Sequence, residues 1–512
     1  MSIIIRPFPA CLDIHALVHF NRQRYPAALV STACQAANQP ADLNAADLKK
    51  SALKTPGLKA PSLKKMGLKK ASGRYDIVFA CPQRSLQRSS AGELYYSVYD
   101  NNAQAKRLSE PPVHDSFFAE LERLCEQQKT VIDAETKPEL PFYGGWFVYL
   151  SYEMAAEVEP CLQLPPADSD LPLAIAIRIP AAVIRDRTTG QCYIVAEKAS
   201  AMLLDTIECD CVQLSSQQAS EPQSSAAIQP SVIQQLLIES PEAPYLAQLE
   251  RIKQYIYDGD IFQANLSRLW RVQLAEPVDD LLLFNLLAEN NPASFAALLC
   301  LDDAAIISSS PERLLSKRGN RLETRPIAGT RPRSERAHTD ASMADALLAH
   351  PKEQAEHIML IDLERNDMGR VCEPGSIQVD ELMVLESWQH VHHIVSNISG
   401  RCRADKSSVE VLTALFPGGT ITGCPKVRCM EILAEQEQQP RGAYTGSLGY
   451  INIDGDMDFN ILIRTMVREH DWISFRAGGG IVADSDPQHE LAETRAKARG
   501  LLKVFQANES RL

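Results

Sequence analysis

Short apolar runs of strand length recur in the N-terminal part of the chain, and they constrain its fold more than any other feature. They lie at residues 75–80, 146–150, 173–179 and 181–185. Runs of this length that are rich in β-branched and aromatic residues predict strands. Because isolated strands are not stable in water, we expect these runs to form a sheet with a buried face.

Two stretches of biased composition lie on either side of these runs. Residues 213–230, QLSSQQASEPQSSAAIQP, have the composition of a polar linker. Residues 48–70 repeat a Leu-Lys pair with a period that fits neither a helix nor a strand, and prolines and glycines interrupt them. We expect a flexible insertion there, with a basic docking segment as the alternative. The predicted organisation is an N-terminal region 1–212, the linker, and a C-terminal region 240–510.

Composition and charge disfavour several classes of protein. The 512 residues carry a net charge of −13, which argues against nucleic acid and anionic membranes as partners. No apolar run approaches the length of about 18 residues that a membrane-spanning helix needs. The 13 cysteines have no framework spacing and the N-terminus does not resemble a signal peptide, so we expect reduced thiols and a cytoplasmic protein.

Two predicted helices each carry a pair of glutamates spaced i and i+3. Glu353 and Glu356 lie in HPKEQAEHIMLIDLERNDMGRV, and Glu490 and Glu493 lie in DPQHELAETRAKARGLLKVF. Carboxylates of this kind are the hard oxygen ligands that Mg²⁺ prefers. Such pairs are also common on solvated helix faces, so their spacing alone does not establish a metal site.

Two glycine-rich turns point to a site for a small anion. FPGGTITGCPKVRCMEIL leads into a helix with Lys426 and Arg428 near its N-terminal end, where N–H groups and cations favour an anion. This turn lacks the Gly-Lys-Ser/Thr of a nucleotide P-loop. Gly478, Gly479 and Gly480 follow a predicted strand, where they either let the backbone approach a ligand or form a tight turn.

Eight motifs follow one another in the C-terminal region. They are GDIFQANLSR, SSSPERLL, RPIAGTRPR, EHIMLIDLERNDMGRV, HVHHIVSNISG, FPGGTITGCPKVRCMEIL, MDFNILIRTMV and AGGGIVADSDPQHELAET. Together they resemble the chorismate-binding family, which includes the large subunits of anthranilate synthase and aminodeoxychorismate synthase. The resemblance is dense from Tyr245 to Phe505 and fainter before it. It implies a single α/β (α+β) fold of two face-packed antiparallel sheets flanked by helices, with the site in a cleft between lobes.

The resemblance also implies a ligand set for chorismate and Mg²⁺. The ion would be held by Glu356 and Glu493, with Glu353 and Glu490 as further ligands or supports, and it would bind the ring carboxylate of chorismate. The second carboxylate would be bound by Arg464, Lys497, Tyr444 and the backbone of Gly478, Gly479 and Gly480.

A second implied group surrounds the leaving hydroxyl at C4 of the ring. It consists of Glu312, Thr330 and His393, and Gly329 would allow close backbone approach. Expelling hydroxide at neutral pH requires a general acid, which a carboxylic acid or an imidazole can provide.

Gln263 bears on the nucleophile. Relatives that use water resemble this chain except for a lysine at that position, and a glutamine side chain cannot deprotonate water. The resemblance therefore implies ammonia, supplied from glutamine by a separate amidotransferase subunit, because this chain has no Gly-x-Cys-x-Gly turn with a later His-x-Glu.

The motifs leave two products open. QANL, FPGGTITG and MDFNILIRT resemble transferases that form 4-amino-4-deoxychorismate for 4-aminobenzoate and folate synthesis, which is the product we expect. Ala328 instead resembles the anthranilate-forming lyases, because many of the former enzymes have a lysine there that attacks C2 of the ring. The chain keeps Ser31 but lacks the glutamate of a Leu-Leu-Glu-Ser-like motif, so we expect no inhibition by tryptophan. A non-catalytic binding scaffold is a further alternative.

Overall fold

The computed structural model describes most of the chain. The described residues are 3–8, 12–31, 73–100, 103–132, 135, 137–167, 169–220, 236–333, 337–387 and 391–505. The predicted insertion at 48–70 and the later part of the predicted linker lie outside these ranges.

Twelve strands of the described residues form the first antiparallel sheet. In spatial order they are β1 (Ile3–Phe8), β10 (Cys192–Glu197), β9 (Ala181–Asp186), β3 (Tyr75–Ala80), β2 (Ala27–Val30), β13 (Phe295–Cys300), β14 (Ala304–Ser310), β23 (Thr465–Glu469), β24 (Trp472–Ile481), β12 (Gln263–Gln273) and β11 (Leu236–Glu239), and β20 (Gly423–Cys424) pairs with the start of β12.

The second antiparallel sheet also has twelve described strands. In spatial order they are β17 (Ile327–Pro332), β19 (Val391–Arg401), β16 (Arg321–Arg325), β15 (Arg313–Arg318), β22 (Met457–Asn460), β21 (Ser447–Asn452), β7 (Gly145–Leu150), β8 (Ala174–Ile179), β4 (Arg84–Arg88), β5 (Leu94–Tyr99) and β6 (Ala105–Arg107), and β18 (Gln378–Ser387) pairs with β19.

The predicted N-terminal and C-terminal regions share both sheets. Strands from the first region form one half of each sheet, and strands from the second region, with β11 just before it, form the other half. The halves meet where β2 pairs with β13 in the first sheet and where β7 pairs with β21 in the second. The four strand-like runs of the N-terminal part are confirmed as β3, β7, β8 and β9.

The two sheets pack face to face through an apolar core. The ring of Phe79 on β3 lies 4.9 Å from that of Phe147 on β7, measured between centroids. Buried side chains of both sheets, including Ile77, Tyr149 and Tyr450, belong to the same cluster. Removal of this apolar surface from water is the main favourable term in folding. The predicted fold class is confirmed.

Helices flank the sheets. They are α1 (Ala16–Phe20), α2 (Phe117–Gln128), α3 (Ala155–Val158), α4 (Leu203–Ser220), α5 (Glu242–Tyr257), α6 (Asp280–Asn290), α7 (Ala337–Ala349), α8 (Pro351–Gly369), α9 (Ser408–Leu415), α10 (Lys426–Glu437) and α11 (Pro487–Leu502). Helices α1, α4, α6 and α11 contribute to the core on the first sheet, whereas α2, α8 and α9 contribute to the core on the second. No helix in the described ranges is long and apolar enough to cross a membrane.

Helix α4 corrects one prediction about chain organisation. It extends to Ser220 and so includes residues 213–220, which were predicted to be linker. Ile207, Cys211 and Leu214 of this helix are buried against the first sheet. Their spacing places them on one helix face, and that packing extends the helix into the polar stretch.

Candidate active site

Glu312 lies in the turn between β14 and β15. It is 5% exposed, and its Oε1 has no hydrogen-bond partner in the structure. Burial raises the pKa of this carboxyl to about 7, although Thr420, the Ile327 amide and Arg464 oppose the shift. Glu312 therefore keeps a proton close to neutral pH, which is the property that a general acid requires.

His393 lies on β19 opposite Thr330 of β17. It is 3% exposed. Burial lowers its pKa to about 3, the charge of Arg464 lowers it further, and a hydrogen bond to the backbone of Gly329 acts in the opposite direction. His393 is therefore neutral at physiological pH, and it cannot donate a proton as an imidazolium. Of the predicted proton donors, Glu312 alone combines burial with a pKa near 7.

A bulge in β17 carries Ala328 and Gly329. The register with β19 shifts between Ala328 and Thr330, and Gly329 has a φ of 67°. A Cβ on Gly329 would lie 2.8 Å from Oε2 of Glu353. The left-handed backbone therefore favours glycine at this position, and the missing side chain leaves room for the carboxylate of Glu353. Ala328 is 9% exposed, and it presents only a methyl group at the position where many relatives are expected to have lysine.

Gln263 begins β12, and this strand pairs with the glycine-rich end of β24. Gln263 is 8% exposed, and its Oε1 has no hydrogen-bond partner among the described residues. Its amide nitrogen lies where a side chain on Gly480 would have to stand. Similarly, the hydroxyl of Tyr444 lies 2.8 Å from the position of a Cβ on Gly478. The two glycines make room for the side chains of Gln263 and Tyr444.

Helix α11 lies against the next glycine of this strand. A Cβ on Gly479 would lie 3.2 Å from Oε2 of Glu490 and 3.7 Å from Oε1 of Glu493. The Nζ of Lys497 donates to the carbonyl of Gly478 at 2.8 Å and also lies 2.8 Å from Glu493. The structure therefore brings Lys497, Glu490 and Glu493 together at the glycine triplet.

Arg464 lies near Glu312 and His393. Burial lowers its pKa, and Glu312 opposes that shift. Its charge also acts on His393. Arg464 is thus near the predicted acid, whereas Lys497 is bonded to the glycine triplet. That both cations bind one carboxylate remains a prediction.

The donor chemistry of the four glutamates fits Mg²⁺. Each pair has a carboxylate against a glycine, Glu353 at Gly329 and Glu490 at Gly479, and all the donors are carboxylate oxygens. Within the described residues, no three His, Cys, Asp or Glu side chains form a metal-ligand cluster. The structure describes two pairs on two helices, and joint binding of one ion by Glu356 and Glu493 remains a prediction.

The predicted anion site at the start of α10 is wrong. The Nζ of Lys426 lies 2.9 Å from Asp367, and the guanidinium of Arg428 lies 3.0 Å from Asp260 and 2.9 Å from Glu431. Both cations are paired with carboxylates of the protein, so they do not offer the charge that an anion would need.

Sequence reasoning missed a second buried carboxyl group, Glu364 on α8. It accepts a hydrogen bond from the hydroxyl of Thr324 at 3.2 Å. Burial, together with the charges of Asp367 and Glu312, raises its pKa to about 8, while Lys426 and Thr324 oppose the shift. Its spacing in the sequence could have indicated it, because Glu364 lies about two helical turns after Glu356 on the same helix.

Comparisons with known proteins show the family of the chain. The family model of chorismate binding enzymes matches residues 80–503. An anthranilate synthase component I-like protein of Synechocystis is 38% identical over 414 residues, which cover 80% of this chain and 83% of the relative. Aminodeoxychorismate synthase component 1 of Bacillus subtilis is 37% identical over 381 residues, which cover 74% of this chain and 80% of the relative.

Solved structures share the fold. Anthranilate synthase component I from Streptococcus pneumoniae matches with a TM-score of 0.71 and 27% identity, covering 86% of this chain and 95% of that protein. The menaquinone-specific isochorismate synthase from Escherichia coli matches with a TM-score of 0.65 and 17% identity, covering 98% and 94%. The chain is therefore an enzyme of the chorismate-binding family, of the anthranilate synthase and aminodeoxychorismate synthase type.

Proposed function

We propose that this chain aminates chorismate with ammonia, and that its product is 4-amino-4-deoxychorismate. The choice of ammonia as the nucleophile rests on Gln263. Its buried amide has no basic nitrogen with which to deprotonate water, and its Oε1 lacks a partner in the part of the chain that the structure describes. That oxygen is suited to accept a hydrogen bond from an N–H of ammonia.

Glu312 acts as the general acid in this proposal. As the bond between C4 and its hydroxyl breaks, the Glu312 carboxyl donates its proton and the hydroxyl leaves as water. The attacking nitrogen forms the new C–N bond and releases a proton, so protons balance over the cycle. Neutral His393 does not supply that proton, and it orients the site through its hydrogen bond to Gly329.

Two further groups would bind the substrate. Glu356 and Glu493, supported by Glu353 and Glu490, would hold Mg²⁺, which when bound would neutralise the ring carboxylate. The buried Tyr444 keeps its proton because burial raises its pKa, so its hydroxyl can donate to the second carboxylate.

The ammonia would come from a separate partner chain. Most ammonia is protonated near neutral pH and is then not nucleophilic. A glutamine amidotransferase subunit docked on this chain would release it beside the site. The expected assembly is a complex of the two chains.

Anthranilate is the second candidate product, and Ala328 favours it. Amination at C4 in relatives with a lysine at this position is expected to begin with attack of that lysine on C2. With Ala328, ammonia or another nucleophile at C2 would have to replace it. Direct addition of ammonia at C2 would instead lead to anthranilate.

Product analysis separates the two candidates. The chain is incubated with chorismate, Mg²⁺ and an ammonium salt, and an aminodeoxychorismate lyase is added to half of the samples. Appearance of 4-aminobenzoate only with the lyase supports our proposal, whereas fluorescent anthranilate without the lyase contradicts it. Inhibition by micromolar tryptophan would also favour the anthranilate-forming activity.

A further inference from the structure

A buried layer of charged side chains lies beside Tyr444. It consists of Glu437 at the end of α10, Arg441 just after it, and Arg476 on β24, together with Ser267 on β12. All four are buried, and Arg476 is 5% exposed. Buried charged groups need hydrogen bonds or opposite charges nearby, because transfer of an ion out of water is costly.

The carboxylate of Glu437 is paired mainly with Arg441. The guanidinium of Arg441 donates to both carboxylate oxygens, at 2.9 and 2.7 Å. The N–H and hydroxyl of Ser267 donate to the same carboxylate at 2.9 and 2.8 Å. Arg476 reaches it with one nitrogen at 3.4 Å, and within the described ranges its Nη1 has no hydrogen-bond partner. The positive charge of Arg476 is therefore only partly compensated.

The carboxylate of Glu153 is also buried and its charge acts on Arg476, but its hydrogen bonds go to other groups. Glu153 accepts hydrogen bonds from the backbone N–H groups of Arg441 at 2.7 Å and Gly442 at 3.1 Å. Burial raises the pKa of Glu153. For Glu437, burial acts in the same direction, but Arg441 and Arg476 together lower its pKa. The layer thus places the guanidinium groups of two arginines around the one carboxylate of Glu437.

Arg476 is connected to the predicted carboxylate subsite. Its Nε donates to the hydroxyl of Ser267 at 3.0 Å, and Ser267 pairs directly with Gly478. Arg476 and Gly478 are two positions apart on β24, so they face the same side of the sheet. Gly478 is also the glycine against which the Tyr444 hydroxyl lies. The guanidinium of Arg441 is 5.7 Å from the centroid of the Tyr444 ring.

We propose that Arg476 is a positioning residue that strengthens binding of the second, non-ring carboxylate of the substrate. It does so through its partly compensated charge behind Tyr444 and Gly478, without touching the substrate. In a site of low dielectric, a charge in this position attracts an anion strongly. This inference rests on the proposed function, because that function supplies a substrate with two carboxylates.

The test compares Arg476→Gln with Arg476→Lys in the full chain. Arg476→Gln should raise the KM and the equilibrium Kd for chorismate by about tenfold and leave kcat within about twofold, because the interaction acts on binding. Arg476→Lys keeps the charge and should retain most of the affinity. Arg476→Gln should melt no lower than the wild type, because it removes a charge that the fold compensates only partly.

Arg268→Gln is the matched control. Arg268 is a buried arginine of the neighbouring strand, and it is paired with Glu239 at 2.6 Å. Its replacement should lower the melting temperature and leave the KM for chorismate unchanged.

Three results would overturn the role of Arg476. They are an unchanged Kd in folded Arg476→Gln, equal loss of affinity in the Lys and Gln variants, and a large loss of stability accompanied by a fall in kcat alone. Wild type that binds chorismate but does not aminate it contradicts the proposed function, and the Kd comparison still decides on Arg476. Wild type that does not bind chorismate overturns both.

Discussion

At the scale of single residues, Glu312 and His393 predict different pH ranges for the activity. Glu312 has a pKa near 7, so its acid form is present below that pH and is lost as the pH rises. With free ammonia held constant, kcat/KM should fall about tenfold per pH unit above about pH 7. An imidazolium donor with the pKa of His393 would instead confine activity to acid solution.

Variants of these two residues provide the control for the pH profile. Glu312→Gln should lower kcat by about 10²–10⁴-fold, because the leaving group then lacks its proton donor. His393→Asn should keep the decline in rate above neutral pH. A profile that loses this decline in His393→Asn and keeps it in Glu312→Gln would assign the proton to the histidine.

The identities of these residues could be predicted from the sequence, but their protonation states could not. The motifs point to Glu312, His393 and Gly329 because the residue types and order are local. The neutrality of His393 depends on burial, which strands distant in the sequence create. The same limit explains the wrong anion site, because Lys426 pairs with Asp367, which is far from it in the sequence.

At the scale of secondary-structure elements, Glu364 joins helix α8 to strand β16 through a buried carboxyl. Its pKa is higher in the fold, about 8, than its ordinary value of 4.5, so it favours folding in acid, and that contribution is lost as the pH rises between those values. Glu364→Gln keeps an acceptor for Thr324 and removes the cost of ionisation. It should increase the free energy of unfolding by about 4 kcal/mol near pH 8 and change it little near pH 4.5.

Urea denaturation at the two pH values measures this difference. Asp362→Asn is the control on the same helix, because Asp362 is exposed and pairs with Arg365 across one turn. It should show no such dependence on pH. A Glu364→Gln variant that is destabilised near pH 8 would mean that the fold needs the ionised carboxylate.

Helix α8 also carries the predicted metal ligands Glu353 and Glu356. Glu356→Ala should abolish most chorismate turnover and raise the Mg²⁺ concentration needed for what remains, because the ion would lose a carboxylate ligand. Asp362→Ala should leave both quantities unchanged. Turnover measured against Mg²⁺ concentration in the two variants tests this, and wild-type behaviour of Glu356→Ala would remove the metal assignment.

Most elements could be predicted from local patterns, and α4 shows where such patterns fail. The run QLSSQQAS is polar, so composition indicated a linker. The run is helical because Cys211, just before it, and Leu214, near its start, are buried against the first sheet. Whether a polar segment at the end of a helix is helical depends on tertiary packing, which overrides its composition.

At the scale of the whole molecule, each of the two sheets consists of strands from both halves of the chain. Their junctions, β2 with β13 and β7 with β21, enclose the core that contains Phe79, Phe147 and Tyr450. Expressed alone, residues 1–220 and 236–512 should each be insoluble, because each exposes half of that core. Coexpressed, they should purify together as one complex. Soluble, cooperatively unfolding single pieces would show that the halves are independent domains.

The central claim is that ammonia, and not water, attacks chorismate in this site. Mass spectrometry of the product formed from isotopically labelled ammonium in isotopically labelled water tests it most directly. Attack by ammonia predicts a product that carries one labelled nitrogen and no labelled oxygen, and proton donation by Glu312 predicts loss of that product in Glu312→Gln. A hydroxylated isomer of chorismate carrying labelled oxygen would contradict the account.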